Sequence, residues 1–216
     1  DDREHRRNGF SPLVFVLYES GPAALDGYAV YRLKEKELPG GLPGNLLALQ
    51  ELMAATDEAY RALWRYSLDV DLLAEVRAEN RPPDEPLLYL LADARRLRVG
   101  VVDGLWIRLV DVPAALGGRR YRSGGTVILA VHDEVCPWNE GRFRLEGDPD
   151  GAGCRPVHEA PDLELEARDL AAAYLGTASF HSLARAGRVA EGTPGSLARA
   201  DAMFRWDPAP WCPNVL

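Results

Sequence analysis

The sequence predicts an α+β fold in two successive domains, 1–110 and 111–216. Three observations carry that reading. Runs of β-branched and aromatic residues recur between turn dipeptides, and one capped amphipathic helix interrupts them. At Asp111-Val112-Pro113 the pattern changes to short strands followed by short capped helices. A length of 216 residues is enough for two such domains, each with its own core.

In the first domain, residues 13–18 and 28–33 read as an antiparallel strand pair, separated by Glu19-Ser20-Gly21-Pro22 and Asp26-Gly27. A third strand, 46–53, follows the loop Pro39-Gly40-Gly41-Leu42-Pro43-Gly44. Thr56 then caps a helix: Asp57 and Glu58 occupy its first turn, and Tyr60, Leu63, Trp64 and Leu68 share one face. Residues 70–78 read as a strand, Arg81-Pro82-Pro83-Asp84 breaks the chain, and 85–92 form a short helix. Strands at 97–102 and 105–110 are expected to make a hairpin around Asp103-Gly104. The predicted order is β-β-β-α-β-α-β-β.

In the second domain, Asp111 caps a short helix with Pro113 in its first turn. Strands follow at 126–131 and 142–146, separated by the aromatic turn Cys136-Pro137-Trp138-Asn139, and a Gly/Asp/Pro-rich loop runs through Gly153. Asp162-Leu163-Glu164-Leu165-Glu166-Ala167 alternates strictly, as a strand with one wet and one buried face does. Helices are expected at 170–175, closed by Gly176, at 180–186 after Ser179, and at 194–204 after the cap Thr193.

Composition narrows the function classes. The chain is 47% apolar and 27% charged, within the globular range, and no apolar run approaches the roughly 20 residues of a membrane helix. The charged start of the sequence does not resemble a secretory signal, which reads as a cytoplasmic protein. A net charge of −8 disfavours nucleic acid and suits a cationic small molecule or basic peptide. Three cysteines without C-x-x-C spacing indicate neither a disulfide framework nor a metal site.

Neither a G-x-G-x-x-G nor a G-x-x-x-x-G-K-[ST] string is present. His5, His132, His158 and His181 show no spacing that singles out a triad. Cys154 and His158, four apart in a loop, make a poor pair, and His132 reads as a surface hydrogen-bonding group. Gly117-Gly118 and Gly124-Gly125 flank Arg119-Arg120-Tyr121-Arg122, which suits either an anion or a solvated turn. The last residues, Trp206-Asp207-Pro208-Ala209-Pro210-Trp211-Cys212-Pro213-Asn214-Val215-Leu216, combine prolines with residue types that prefer burial. Such an ending either closes a core or holds a working α-carboxylate still.

Three strings make the pattern specific: residues 104–116 (GLWIRLVDVPAAL), 136–145 (CPWNEGRFRL), and Arg199-Ala200-Asp201-Ala202-Met203-Phe204 leading into Ala209-Pro210-Trp211-Cys212-Pro213. In this order they resemble the enhanced-intracellular-survival family of GNAT N-acetyltransferases. The resemblance implies a partial, degenerate second GNAT-like domain with a mixed sheet, followed by a sterol-carrier-protein-type domain. It implies that this chain is the C-terminal half of an enzyme that acetylates cationic amines, aminoglycoside-like compounds or lysine and polyamine amines among them. Acetyl-CoA would then bind outside the chain, to the protein's own N-terminal GNAT domain, and the isolated chain would be inactive. A homo-oligomer is also implied.

By the same resemblance the Leu216 carboxylate serves the acceptor amine. An α-carboxyl titrates near about 3.3–3.7 and an alkylammonium near about 10, so the group acts either as a base or as an electrostatic anchor. In an active GNAT domain a glycine-containing loop offers backbone N–H groups to pyrophosphate; the matching residues 52–59 contain no glycine and carry Asp57 and Glu58. The alternative function is a sterol-carrier-type module in which Leu197, Ala200, Met203 and Phe204 line an apolar tunnel.

Overall fold

The computed structural model describes residues 2, 4–102 and 104–213. These form two compact units: residues up to Arg81 with Glu85–Val102, and Pro82–Asp84 with the residues from 104 to Cys212.

The first unit holds β1 (Val14–Gly21), β2 (Ala24–Lys34), a small hairpin of β3 (Glu37–Leu38) and β4 (Leu42–Pro43), β5 (Asn45–Ala54), α1 (Asp57–Asp69), β6 (Leu73–Ala78) and α2 (Leu87–Leu90). Its sheet runs β1-β2-β5-β6, antiparallel except for the parallel pair β5–β6. A register shift in the β2–β5 ladder at Val30/Tyr31 lets Leu49 and Leu52 face the same core despite an odd spacing. Leu63 and Trp64 of α1 close that core over Ala29, Tyr31 and Leu47. The Thr56 hydroxyl accepts from the Ala59 N–H at 3.1 Å, so α1 starts where its cap predicts.

The second unit holds α3 (Val112–Gly117), β7 (Gly125–His132), β8 (Gly141–Gly147), β9 (Ala152–Pro156), β10 (Leu163–Glu166), α4 (Ala167–Tyr174), α5 (Phe180–Arg185), β11 (Val189–Glu191) and α6 (Ser196–Phe204). Strand order is β11-β10-β7-β8-β9, with β7 and β10 parallel and the other pairs antiparallel. Register puts Val127, Leu129 and Val131 on one face with Phe143, Leu145, Leu163 and Leu165, and all seven are buried. Leu116 of α3, Leu170 of α4, Phe180 of α5 and Met203 of α6 complete the same core.

Several expectations are corrected. Among the described residues, 97–102 and 104–110 form no strands. Their end is held by side chains instead of a ladder. Asn139 donates to the Leu109 and Val110 carbonyls at 3.2 Å each and accepts from Val112 N–H at 2.9 Å, while Trp138 Nε1 donates to Val110 at 2.7 Å. Helix α6 opens at Gly195, not Thr193, and the Leu197 N–H is taken by Glu191 Oε1 at 3.1 Å. The loop expected through Gly153 contains β9, whose middle residues bond to β8, and β3, β4 and β11 were too short to read.

Gly176 closes α4 as expected, with φ +90°, and a Cβ there would sit 2.5 Å from the Phe204 carbonyl oxygen and 3.1 Å from Trp206 N. Gly187 has φ +73° but open space around it. In urea unfolding, Gly176→Ala is expected to cost about 3 kcal/mol and Gly187→Ala about 1 kcal/mol. Equal costs would mean that close packing of the chain beyond Phe204 contributes nothing.

Candidate functional site

The cleft between β5 and β6 is built by unequal strand lengths. Pairing runs from Asn45↔Leu73 to Leu49↔Ala78, and β5 continues to Ala54 without β6 beside it. Three residues beyond β6, Arg81 and its neighbours fill the opening. The guanidinium donates to the Leu52 carbonyl at 2.9 Å and lies over the Trp64 ring at 5.6 Å. Its Nε donates to Glu85 Oε2 at 2.7 Å, and the Tyr60 hydroxyl donates to the other oxygen of Glu85. Burial pushes the Glu85 carboxyl up to about 7 and moves Arg81 down. Their mutual contact offsets part of that cost. Sequence reading missed this group; its only trace was an Arg and a Glu four residues apart around Pro82-Pro83.

At the mouth of this cleft the turn 54–58 has no glycine, and the N–H groups of Ala55, Ala59 and Tyr60 are engaged. Thr56 takes Ala59 N–H through its hydroxyl and Tyr60 N–H through its carbonyl, and Ala55 N–H donates to the Asp26 carbonyl at 2.7 Å. Asp57 and Glu58 add negative charge there.

The second feature is the chain beyond α6. Leu216, the sequence-predicted site residue, lies outside the described residues; the path to Pro213 is described. Arg119 fixes its start. The guanidinium sits 4.6 Å, 5.2 Å and 4.8 Å from the ring centroids of Tyr121, Tyr174 and Phe204. It donates to the Phe204 carbonyl at 3.2 Å and to the Tyr174 carbonyl, which terminate α6 and α4. The basic stretch 119–122 is therefore split: Arg119 and Tyr121 belong to the interior, and Arg120 and Arg122 stay exposed. An anion site there is not supported.

Other candidates resolve into structure. Cys154 faces the core from β9, where burial pushes its thiol up to about 11. His158 lies beyond the end of β9, and four residues of extended chain span about 13 Å, so no nucleophile pair forms. Leu197, Ala200, Met203 and Phe204 are all in the packed core; Phe204 meets Tyr121 and Phe180 edge-on at 5.1 Å and 5.0 Å. Asp162 bonds the Ile128 N–H at 2.9 Å. His181 Nδ1 pairs with Asp201 at 2.6 Å. Among the described residues no cluster of His, Cys, Asp or Glu could hold a metal, and no helix is long and apolar enough to cross a membrane.

His132 ends β7 between two carboxylates, with Nδ1 2.8 Å from Glu140 and Nε2 2.9 Å from Glu164. The hydrogen bonds to Glu164 and then Glu140 raise its pKa above the ordinary 6.5. Because the folded value is the higher one, the contribution to stability is full below the unfolded pKa and is lost as pH rises through the folded value. NMR titration of the ring is expected to give a midpoint above 6.5, lowered most by Glu164→Gln and less by Glu140→Gln. A midpoint at or below 6.5 would contradict the double bridge.

Comparison with known proteins agrees with this architecture. The acetyltransferase (GNAT) domain family matches residues 1–109, and the sterol carrier protein domain family matches residues 112–213. An uncharacterized N-acetyltransferase of Streptomyces avermitilis is 46% identical over 99% of this chain and 52% of its own length. The N-acetyltransferase Eis of Mycobacterium tuberculosis is 35% identical over 84% of this chain and 43% of its own length. The crystal structure of Eis1 from Mycobacterium abscessus superposes with a TM-score of 0.73 at 32% identity, covering 88% of this chain and 50% of that one. The chain spans about half the length of the curated relatives it matches. Residues 1–109 match the acetyltransferase domain as such, and the framing of the chain as a C-terminal half does not follow from that match. With residues 1–109 matched, the chain belongs to the acetyltransferase (GNAT) domain family, followed by a sterol carrier protein domain, and it is similar to Eis over about half of that protein's length.

Proposed function

We propose that this chain is the acceptor-side part of an acetyl-CoA-dependent N-acetyltransferase, in which 1–110 is a degenerate GNAT-like domain and 111–216 the sterol-carrier-type domain. The observation that carries the reading is the Arg81 group in the opening between β5 and β6. A pantetheine arm entering there would have to displace the guanidinium from Leu52 and separate it from Glu85. A pyrophosphate at the start of α1 would meet the carboxylates of Asp57 and Glu58 and an Ala59 N–H already taken by Thr56. The residues present do not fit acetyl-CoA, and the cofactor is assigned to another acetyltransferase domain of the working protein.

The acceptors are cationic amines, aminoglycoside-like compounds or lysine and polyamine amines, in keeping with a net charge of −8. The Leu216 carboxylate, at the end of a tail anchored by Arg119, Gly176 and Phe204, meets the ammonium as anchor or as base. A cytoplasmic homo-oligomer is the setting that goes with this reading. The lipid-binding alternative has no such support, because the apolar stripe of α6 is spent in the core.

The test is acetyl transfer from acetyl-CoA to polyamines, aminoglycosides and lysine peptides, comparing this chain with a full-length relative. Turnover in the relative and none in this chain is expected. Turnover by this chain alone would contradict the assignment. In an active protein containing this chain, two residues added after Leu216 are expected to lower kcat by at least tenfold, and unchanged turnover would remove the carboxylate from the reaction.

A further inference from the structure

Strand β1 is one edge of the first unit's sheet, and among the described residues no strand lies beside its outer side. An edge strand presents N–H and C=O groups that can pair with another chain. The opposite edge, β6, is guarded: Glu75 and Arg77 stand exposed on it and pair with each other at 2.9 Å. β1 has no such guard. Val14-Phe15-Val16-Leu17-Tyr18 carries no charge and no proline, and Phe15 and Leu17 are 67% and 59% exposed. Val14, Val16 and Tyr18 pack against the core instead.

The free stretch has two defined ends. At one, the Leu13 N–H donates to Asp2 Oδ2 at 3.3 Å, which is no part of β2. At the other, the β1–β2 ladder shifts register between Tyr18 and Glu19. Successive N–H groups of a strand point to opposite sides, so with that of Leu13 turned outward, those of Phe15 and Leu17 are turned outward as well.

We propose that β1 is a self-association edge, pairing antiparallel with β1 of a second copy of this chain about a two-fold axis at Val16. That register sets Val14 opposite Tyr18, Phe15 opposite Leu17 and Val16 opposite itself, so apolar side chains meet on both faces. Residues of one parity meet residues of the same parity, and outward N–H and C=O groups therefore face their counterparts. Charge favours a second copy as the occupant. Continued by one residue, the register brings the exposed Glu19 of each copy to the Leu13 end of the other. There Asp2 Oδ1 is 2.8 Å from Arg7 Nε and 2.6 Å from Arg32 Nη1, and two guanidiniums with one carboxylate leave that end positive. The two Glu19 side chains stay about 20 Å apart, beyond a Debye length of about 8 Å. The inference deepens the homo-oligomer proposed above by giving it a surface, and it rests on that part of the reading; acetyl transfer does not enter it.

Five residues per strand make a contact smaller than the roughly 1,200 Å² at which standard interfaces begin, so the dimer is weak and depends on concentration. Sedimentation velocity of this chain is expected to show monomer at about 1 µM and mostly dimer at about 200 µM. Phe15→Lys with Leu17→Lys, both at exposed positions, is expected to weaken dimerisation at least tenfold with the circular dichroism spectrum unchanged. Ala74→Lys, on β6, is expected to leave it unaltered. Val16→Cys sets two thiols across the axis and, on mild oxidation, is expected to link most of the chain into disulfide dimers, whereas Ala74→Cys gives no more than the unaltered chain.

A chain that stays monomeric at about 200 µM would overturn the surface and the homo-oligomer together. A dimer that withstands the double lysine variant would overturn the surface and leave the homo-oligomer standing. A dimer lost in the lysine variant but not cross-linked through Val16→Cys would overturn the two-fold at Val16.

Discussion

One buried cation organises the second unit. Arg119 stands among the rings of Tyr121, Tyr174 and Phe204 and donates to the last carbonyls of α4 and α6. Helix ends leave carbonyls without partners and carry partial negative charge, so a guanidinium there satisfies hydrogen bonds and dipole together. Burial lowers its pKa, but a guanidinium stays charged at any ordinary pH, so the arrangement is permanent. Its consequence is directional. The chain leaves α6 at one fixed point, against Gly176, and everything said of the tail depends on that departure.

A different arginine does the opposite work in the first unit. The parting of β5 from β6 opens a gap, and Arg81 closes it with Glu85, Tyr60 and Trp64. On the proposed reading the sheet and helix of the domain serve as framework, with the Arg81 group in the opening. The strap at Asp133 and Asn139 serves a similar structural end, ordering residues 108–112 by side-chain bonds where no strand pairing exists.

Much of the fold was legible because local signals agreed with packing. Thr56, Asp111 and Ser179 cap the helices their positions predict, and strict alternation at 162–167 gave the buried and wet faces of β10. The expected hairpin at 97–110 is absent among the described residues, and at its end Asn139 and Trp138, distant in sequence, take the Leu109 and Val110 carbonyls. The site was less legible. Arg119 looked like part of a solvated basic turn, and only the fold brings three rings around it. Arg81 read as a chain break and Glu85 as the start of a short helix, because their partners Leu52 and Tyr60 are distant in sequence. The stiff ending was visible in its prolines and tryptophans.

The central claim is that the first unit keeps the acetyltransferase framework with its cofactor cleft closed. Backbone amide shifts of this chain, followed during titration with acetyl-CoA, test it most directly. The account predicts no saturable change at residues 52–60, 81 or 85. Saturable shifts there, abolished by altering the 54–58 turn, would contradict it and place a working cofactor site in this chain.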